Sequence, residues 1–195
     1  ASVKIVETPG RFIIKIKCNI INSYNLRQKE GLMNKIILIV GCTGAGKSTY
    51  AKKIEKKDNA YILSNDEWFK ELYLKDLPKE STYEWSLERT ERIERVMLAE
   101  SIKLISKKLD VILDIGFFKK KQRLRVLDFY FKEDISTEVH YLDIDKETRW
   151  DRVNKRNTLK TETFSFEVSR EIFDFCETLY EPLNSEELKT AIIID

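Results

Sequence analysis

The sequence predicts an α/β fold in which helices cover both faces of a mainly parallel five-stranded sheet. Two observations lead to this prediction. From residue 35 onward, short runs of β-branched residues alternate with segments of helical periodicity, which is typical of parallel strands joined by crossover helices. The chain has 195 residues, a length that fits one globular domain better than two. We therefore expect one three-layer domain over residues 33–195.

Each predicted strand is a short run dominated by apolar residues. The runs are Lys35–Val40, Ala60–Leu63, Asp110–Leu113, Glu138–Leu142 and Ala191–Ile194. The helices are predicted near residues 47–57, 66–74, 84–108, 119–131, 146–156 and 166–180. In the longest of these helices, apolar residues recur at steps of three and four, so that one stripe is buried and the charged residues face solvent.

The composition excludes several classes of protein. The chain has 35 Lys+Arg and 33 Asp+Glu, a net charge of +2, and 42% apolar residues, which argues against disorder and against polybasic nucleic-acid binding. No apolar run reaches the roughly 18–20 residues that cross a bilayer, and the first residues lack the pattern of a signal peptide. Three cysteines lie far apart without a CxxC pair, so we expect reduced thiols. A soluble cytoplasmic protein is the resulting expectation.

The strongest motif follows the first predicted strand, where residues 41–48 read GCTGAGKS and fit the pattern GxxxxGK[ST]. This pattern is a phosphate-binding loop (P-loop), in which glycines let backbone N–H groups surround phosphate oxygens before the positive end of a helix. We expect Lys47 to reach the β- and γ-phosphates of ATP and Ser48 to ligate Mg²⁺. The predicted nucleotide-binding residues of the loop are Gly41, Cys42, Thr43, Gly44, Ala45, Gly46, Lys47, Ser48 and Thr49.

Residues 1–32 are predicted to be an N-terminal extension, for which two interpretations stay open. Two β-rich runs, Val3–Val6 and Arg11–Ile21, flank Pro9 and Gly10, a pair that favours a hairpin turn. The alternative is a leader or an added segment, because Met33 opens a sequence typical of the start of a nucleotide-binding domain.

Two carboxylates follow predicted strands. Asp114 ends the run Val-Ile-Leu-Asp, as the second Walker element requires for holding Mg²⁺ or its water shell; the alternative is a helix-capping residue. Asp66 comes directly after the second strand and therefore lies at the carboxyl edge of the sheet, where open α/β folds bind ligands. We interpret Asp66 as the base that accepts a proton from an attacking hydroxyl, with an N-cap as its alternative.

Arginines are concentrated in the helix near residues 146–156. Arg152 and Arg156 lie four residues apart, so they share one helical face and can stabilise charge that develops between the β- and γ-phosphates. The alternative is a solvated face.

A second basic run, residues 119–125, is interpreted either as a site for a phosphorylated or polymeric substrate or as a solvated helix start. His140 alternates with apolar residues in a strand, which favours a structural role.

Taken together, five segments of the chain resemble the P-loop kinases of the zeta-toxin and AAA_33 type. They are GCTGAGKST, LSNDEW, VILDIGFFKKKQR, YLDIDKETRWDRVNKRN and FSFEVSREIFDF. This group includes small-molecule phosphotransferases and polynucleotide 5′-hydroxyl kinases. The resemblance runs from about residue 33 to the end and implies that Asp66 is the general base and that Arg152 and Arg156 belong to a lid. It also assigns a catalytic role to Arg123, the basic residue that follows the Gly-Phe-Phe segment.

The chain departs from the sequence pattern of the polynucleotide kinases at two places, and both departures argue against a nucleic-acid substrate. The similar polynucleotide kinases carry an arginine three residues after the catalytic aspartate, where this chain has Phe69, and their Asp-Thr-Asn segment is replaced by Asp114-Ile115-Gly116. We therefore predict an ATP- and Mg²⁺-dependent kinase that acts on a small-molecule hydroxyl. A polynucleotide 5′-hydroxyl kinase and a regulatory nucleotide-binding module are the alternatives, and no oligomeric state is indicated. The acceptor is expected between the helix after Asp66 and residues 116–123, where four aromatic residues form either its walls or the core: Trp68, Phe69, Trp85 and Phe118.

Overall fold

The computed structural model describes residues 34–78, 80, 83–160, 164 and 166–194. The predicted extension over residues 1–32 lies outside the described residues. The strands are β1 Lys35–Val40, β2 Ala60–Ser64, β3 Asp110–Asp114, β4 Ser136–Leu142 and β5 Ile192–Ile194. The helices are α1 Lys47–Asp58, α2 Asn65–Tyr73, α3 Tyr83–Ser106, α4 Lys120–Lys132, α5 Lys146–Leu159, α6 Arg170–Leu179 and α7 Ser185–Leu188, with a 3₁₀ turn at Leu74–Asp76.

The sheet has the strand order β2-β3-β1-β4-β5, and every strand pair in it is parallel. Strand β1 is central: Ile37 pairs with Ile112 of β3 on one side and with Glu138 of β4 on the other. Because all strands run in the same direction, their carboxyl ends meet at one edge of the sheet. The loops that carry the predicted site residues therefore emerge together.

The side chains of β1 alternate between two apolar cores, one on each face of the sheet. Ile36, Leu38 and Val40 belong to the first core, which includes residues of α3 and α4. Ile37 and Ile39 belong to the second, which includes Ala51 and Ile54 of α1. A third cluster joins α5 and α6 through Val153, Val168 and Phe173. The predicted three-layer α/β architecture is thus confirmed.

Helix α6 begins later than the sequence predicts. Residues 166–180 were expected to be helical, but α6 starts at Arg170, where Ser169 Oγ accepts a hydrogen bond from the backbone N–H of Ile172 at 3.3 Å. Upstream of this cap, the Asn157 amide bonds both backbone groups of Val168, at 2.8 and 3.3 Å, and so keeps that segment out of the helix. Within the described residues, none of the helices combines the length and the apolar character that a membrane crossing demands.

Candidate active site

The P-loop connects β1 to α1 and has the backbone conformation that its glycines allow. Gly44 and Gly46 have φ angles of 81° and 97°, in the left-handed region that favours glycine. Gly46 is the N-cap of α1 and has no side chain to accept the first N–H groups of that helix. Lys47 Nζ donates to the carbonyl of Cys42 at 3.2 Å. The amino end of α1 is therefore open to an anion, as a phosphate site requires.

A cavity of about 710 Å³ lies over this loop. Its lining includes loop residues Thr43 to Thr49, the loops after β2, β3 and β4, and side chains of α5 and α6. It therefore contains Lys47 and Ser48 together with the four other predicted groups Asp66, Asp114, Arg152 and Arg156. The structure thus brings together residues that lie up to about a hundred positions apart in the sequence.

Ser48 and Asp114 form a direct pair. Ser48 Oγ donates to Asp114 Oδ2 at 2.7 Å, and Asp114 is 7% exposed at the end of β3. The capping alternative for Asp114 does not apply, because the next helix begins at Lys120. No group of three or more His, Cys, Asp or Glu side chains suited to a metal ion occurs among the described residues. A hydroxyl and a carboxylate nonetheless fit Mg²⁺ in a P-loop site, since phosphate oxygens and water complete its coordination.

Asp66 is the second residue of α2 and is not its cap. Ser64 is the N-cap, and its Oγ accepts a hydrogen bond from the N–H of Glu67 at 3.4 Å. The side chain of Asp66 is exposed where it opens into the cavity, although many protein atoms surround it. Desolvation by these atoms, followed by the negative charge of Asp114, raises the pKa of Asp66 above the usual range of a carboxyl group. A carboxylate with a raised pKa inside a cleft is a candidate for acid–base chemistry.

The two predicted lid arginines extend from α5 toward the P-loop. Arg152 donates to the carbonyl of Ala45 at 3.0 Å. Arg156 is half-buried, and its Nε has no hydrogen-bond partner among the described residues. Burial lowers the pKa of its guanidinium, whereas the charge of Asp66 opposes that effect. The solvated-face alternative therefore does not describe Arg156, whose positive charge faces the cavity.

A third arginine of α5 supports the P-loop, and sequence reasoning missed it. Arg149 forms a two-point ion pair with Glu177 of α6, at 2.6 and 2.8 Å, and donates to the carbonyl of Thr43 at 3.1 Å. Glu177 also accepts a hydrogen bond from the thiol of Cys42 at 2.8 Å. Burial, with the help of Glu177, raises the pKa of Cys42 to about 12, so this thiol stays protonated as a donor. No local sequence signal separates Arg149 from its neighbours or points to Glu177.

The structure does not bring Arg123 to the cavity, in contrast to the catalytic role implied by the resemblance. Arg123 is 1% exposed and pairs with Glu187 at 2.7 Å. Its guanidinium also donates to the carbonyls of Phe117 and Glu181, at 3.1 and 2.9 Å. These contacts use the groups with which an arginine would bind phosphate, so Arg123 holds the loop after β3 in place.

The basic run around Arg123 is partly neutralised by carboxylates. Lys119 pairs with Glu181 at 3.5 Å, and Arg125 pairs with the buried Glu94 at 2.5 Å.

His140 has a structural role. It is buried between Tyr50, at 2.8 Å, and Glu138, at 3.1 Å. Among the aromatic residues considered for the acceptor site, Phe118 lines the cavity, whereas Trp68 and Phe69 pack against the first core and Trp85 contacts the ring of Phe69.

The strand order, the P-loop and the cavity at the carboxyl edge define a nucleotide-binding domain with the fold of the P-loop kinases. A family model described as an AAA domain, AAA_33, matches residues 36–183. Since this match spans most of the chain, the protein belongs to the AAA_33 family. The comparison with curated proteins gave no match.

Solved structures share the fold at low sequence identity. A sugar kinase from Janibacter sp. HTCC2649 is 16% identical, with a TM-score of 0.56 over 83% of this chain and 85% of that one. The APS kinase CysC of Mycobacterium tuberculosis, in complex with AMPPNP and APS, is 17% identical, with a TM-score of 0.53 over 78% and 85%. A chain of the Pnkp1/Rnl/Hen1 RNA repair complex is 20% identical, with a TM-score of 0.55 over 76% of this chain and 47% of that one.

Proposed function

We propose that this protein is an ATP- and Mg²⁺-dependent kinase that transfers the γ-phosphoryl group to a hydroxyl of a small molecule. The proposal is carried by one observation: the carboxylate of Asp66 opens into the same cavity as the P-loop and the Ser48–Asp114 pair. In phosphoryl transfer the enzyme mainly positions the reactants and stabilises charge, and a carboxylate beside the terminal phosphate orients and deprotonates the attacking hydroxyl.

The other residues of the cavity have complementary roles in this proposal. Lys47 and the loop N–H groups hold the β- and γ-phosphates, and Arg152 and Arg156 stabilise the charge that develops during transfer. Ser48 and Asp114 would hold Mg²⁺, directly or through its water. When bound, Mg²⁺ neutralises charge on the phosphates.

A small-molecule acceptor is favoured over a nucleic-acid end. Duplex and single-stranded nucleic acids are bound mainly through lysines and arginines that neutralise phosphates. In this chain three of the five basic residues in the run 119–125 pair with carboxylates, as for Lys119 with Glu181 and Arg125 with Glu94. Sugar and APS kinases of the same fold act on small molecules, as their names state.

The test is phosphoryl transfer from γ-labelled ATP to a panel of hydroxyl compounds, with the wild type compared with Asp66→Asn. We expect the variant to lose about 10²- to 10⁴-fold in kcat, because a general base contributes that much, while its affinity for ATP changes little. Glu67→Gln is the matched control: it removes the same charge one residue away, from an exposed side chain outside the cavity lining.

The outcomes separate the alternatives. Unchanged turnover in Asp66→Asn contradicts the assigned base. Label on 5′-hydroxyl oligonucleotides alone supports the polynucleotide kinase, and ATP binding without labelling of any acceptor favours the regulatory module.

A further inference from the structure

The cavity has two sides, which are defined by the strands that lie on either side of β1. Strands β3 and β2 lie on one side of the P-loop strand β1, whereas β4 and β5 lie on the other. Asp66 follows β2, and Gly116 and Phe118 follow β3, so these cavity residues share the first side. Because the proposed function requires the acceptor hydroxyl to reach Asp66, the acceptor occupies this side; the inference below rests on that function.

The loop after β3 presents Phe118 through a conformation that costs free energy. Gly116 and Phe117 both lie in the left-handed region, with φ angles of 93° and 44°, and a bulky residue such as phenylalanine is rarely found there. The strained turn is held from several directions: Phe117 is fully buried, its carbonyl accepts from Arg123 at 3.1 Å, and the carbonyl of Phe118 accepts from the N–H of Glu181 at 2.8 Å. Such strain persists only where the surroundings enforce it, and it is concentrated at ligand sites.

The ring of Phe118 is fixed in orientation and lies beside the reaction centre. Tyr180 contacts it edge to face, with centroids 5.7 Å apart and an interplanar angle of 81°. Lys47 Nζ lies over the ring at 5.9 Å from its centroid. One face of Phe118 is therefore turned toward Lys47, which binds the terminal phosphates in the proposed function.

We propose that Phe118 is the platform on which a planar, uncharged ring of the acceptor stacks, with its hydroxyl directed toward Asp66. Aromatic faces favour planar partners in offset or edge-to-face contact. The cations of the described cavity lining all lie on α1 and α5: Lys47, Lys53, Arg152, Lys155 and Arg156. The segments that follow β2 and β3 contribute no cation to that lining, which favours an uncharged acceptor on this side.

A polyhydroxyl sugar fits this side less well. The polar side chains that α2 and β3 contribute to the described cavity lining are Asp66 and Asp114, and both have proposed roles in catalysis or metal binding. The loop after β3 adds Gly116 and Phe118. Gly116 offers only its backbone N–H and C=O groups and the ring of Phe118 offers none, so several hydroxyl groups on this side lose more hydrogen bonds to water than they regain, which is unfavourable.

Binding of two matched probes tests the platform. Benzyl alcohol and cyclohexylmethanol both carry one CH₂OH group on a six-carbon ring and differ in planarity. With Mg²⁺ and AMPPNP present to fill the nucleotide side, saturation-transfer NMR is used to measure the affinity of the protein for each probe. We expect benzyl alcohol to bind about threefold to tenfold more tightly, Phe118→Leu to abolish this preference and Phe118→Tyr to keep it. Phe175→Leu, at a 45% exposed phenylalanine outside the cavity lining, serves as the control and is expected to keep the preference.

The results distinguish the platform from the kinase function. Equal affinity for the two probes, or a preference that survives Phe118→Leu, overturns the platform. So does transfer of label to glucose, but not to benzyl alcohol, that depends on Asp66. Failure of the wild type to bind AMPPNP overturns instead the proposed function, and AMPPNP affinity is measured in the same samples for this reason.

Discussion

The carboxylate of Asp66 lies at a position where folding disfavours its charge. Burial and the neighbouring Asp114 raise its pKa, so the folded chain binds a proton at this site more tightly than the unfolded chain. Stability contributed by this group is therefore present at low pH and decreases as the pH rises from about 4, the ordinary value for aspartate, through the raised pKa. In the proposed kinase, the general base is therefore kept at the expense of stability.

Removing this charge should stabilise the protein. We expect Asp66→Asn to raise Tm in the absence of nucleotide, and the difference from the wild type to grow as the pH rises above about 4, because the wild type alone ionises at this position. Thermal unfolding at several pH values, followed by fluorescence, is the measurement. A Tm that is equal or lower in Asp66→Asn across this range contradicts the raised pKa.

Gly44 is required by the P-loop for two reasons that can be separated. Its φ angle is 81°, and a Cβ atom added to it would lie 2.5 Å from the carbonyl oxygen of Arg149. Gly46 has a similar φ angle of 97°, but its added Cβ would meet its nearest neighbour, the Arg152 side chain, at 3.6 Å. We expect both alanine variants to weaken ATP binding, and Gly44→Ala to be less stable than Gly46→Ala by about 1–3 kcal/mol, since it alone introduces overlap with a backbone atom. Urea unfolding of the two variants measures the difference, and equal stability would show that α5 moves away without penalty.

At the scale of elements, α5 and α6 support the P-loop through a buried ion pair. Arg149 and Glu177 are 8% and 21% exposed at their side chains, and both contact loop residues, Thr43 and Cys42 respectively. The hydrogen bonds from Arg149 lower the pKa of Glu177, so its charge persists in the folded protein under acidic conditions. The shape of the phosphate site therefore depends on two helices that are distant from it in sequence.

Neutralising Glu177 should affect both stability and nucleotide binding. We expect Glu177→Gln to reduce the free energy of unfolding by about 1.5–3 kcal/mol, the usual value for a hydrogen bond to a charged group, and to raise KM for ATP because Cys42 and Thr43 lose their support. Asp174→Asn is the control on the same helix: its ion pairs with Lys146 and Arg170 have partners that are about half exposed, and such pairs contribute about 0–1 kcal/mol. Equal effects of the two variants would contradict a special role for the buried pair.

Features that depend on local sequence could be predicted, whereas features that depend on contacts between distant residues could not. Strand β1 has the predicted bounds, Lys35–Val40, because five consecutive buried residues end at a glycine loop and leave no competing periodicity. Helix α7, Ser185–Leu188, was not predicted, since four residues held by the Asn184–Glu187 capping box show no periodicity. The resemblance assigns a catalytic role to Arg123, but the structure pairs this residue with Glu187, which is 64 residues away. No local sequence pattern predicts such a contact.

At the scale of the whole molecule, the sheet, the P-loop and the cavity lie within the described residues from Asn34 onward. The five strands of the sheet, its two cores and the cluster between α5 and α6 all lie within residues 34–194. Asn34 itself is tied to the sheet, because its side-chain amide donates to Asp110 at 3.0 Å. The cavity is lined by residues between Thr43 and Ile194. A chain that begins at Asn34 therefore retains all of the described contacts.

We accordingly expect a variant that begins at Asn34 to fold and to bind ATP with Mg²⁺ as the full chain does. A ligand at about 100 times its Kd adds about 2.7 kcal/mol to the free energy of unfolding, which corresponds to a rise in Tm of about 5–10 °C for a domain of this size. Lys47→Ala in the same shortened chain should lose most of this rise, since it removes the cation that binds the phosphates. Thermal unfolding with and without Mg²⁺ and AMPPNP measures both effects. A shortened chain that does not unfold cooperatively, or that folds without a nucleotide-dependent rise in Tm when the full chain shows one, would mean that residues 1–33 belong to the nucleotide-binding domain.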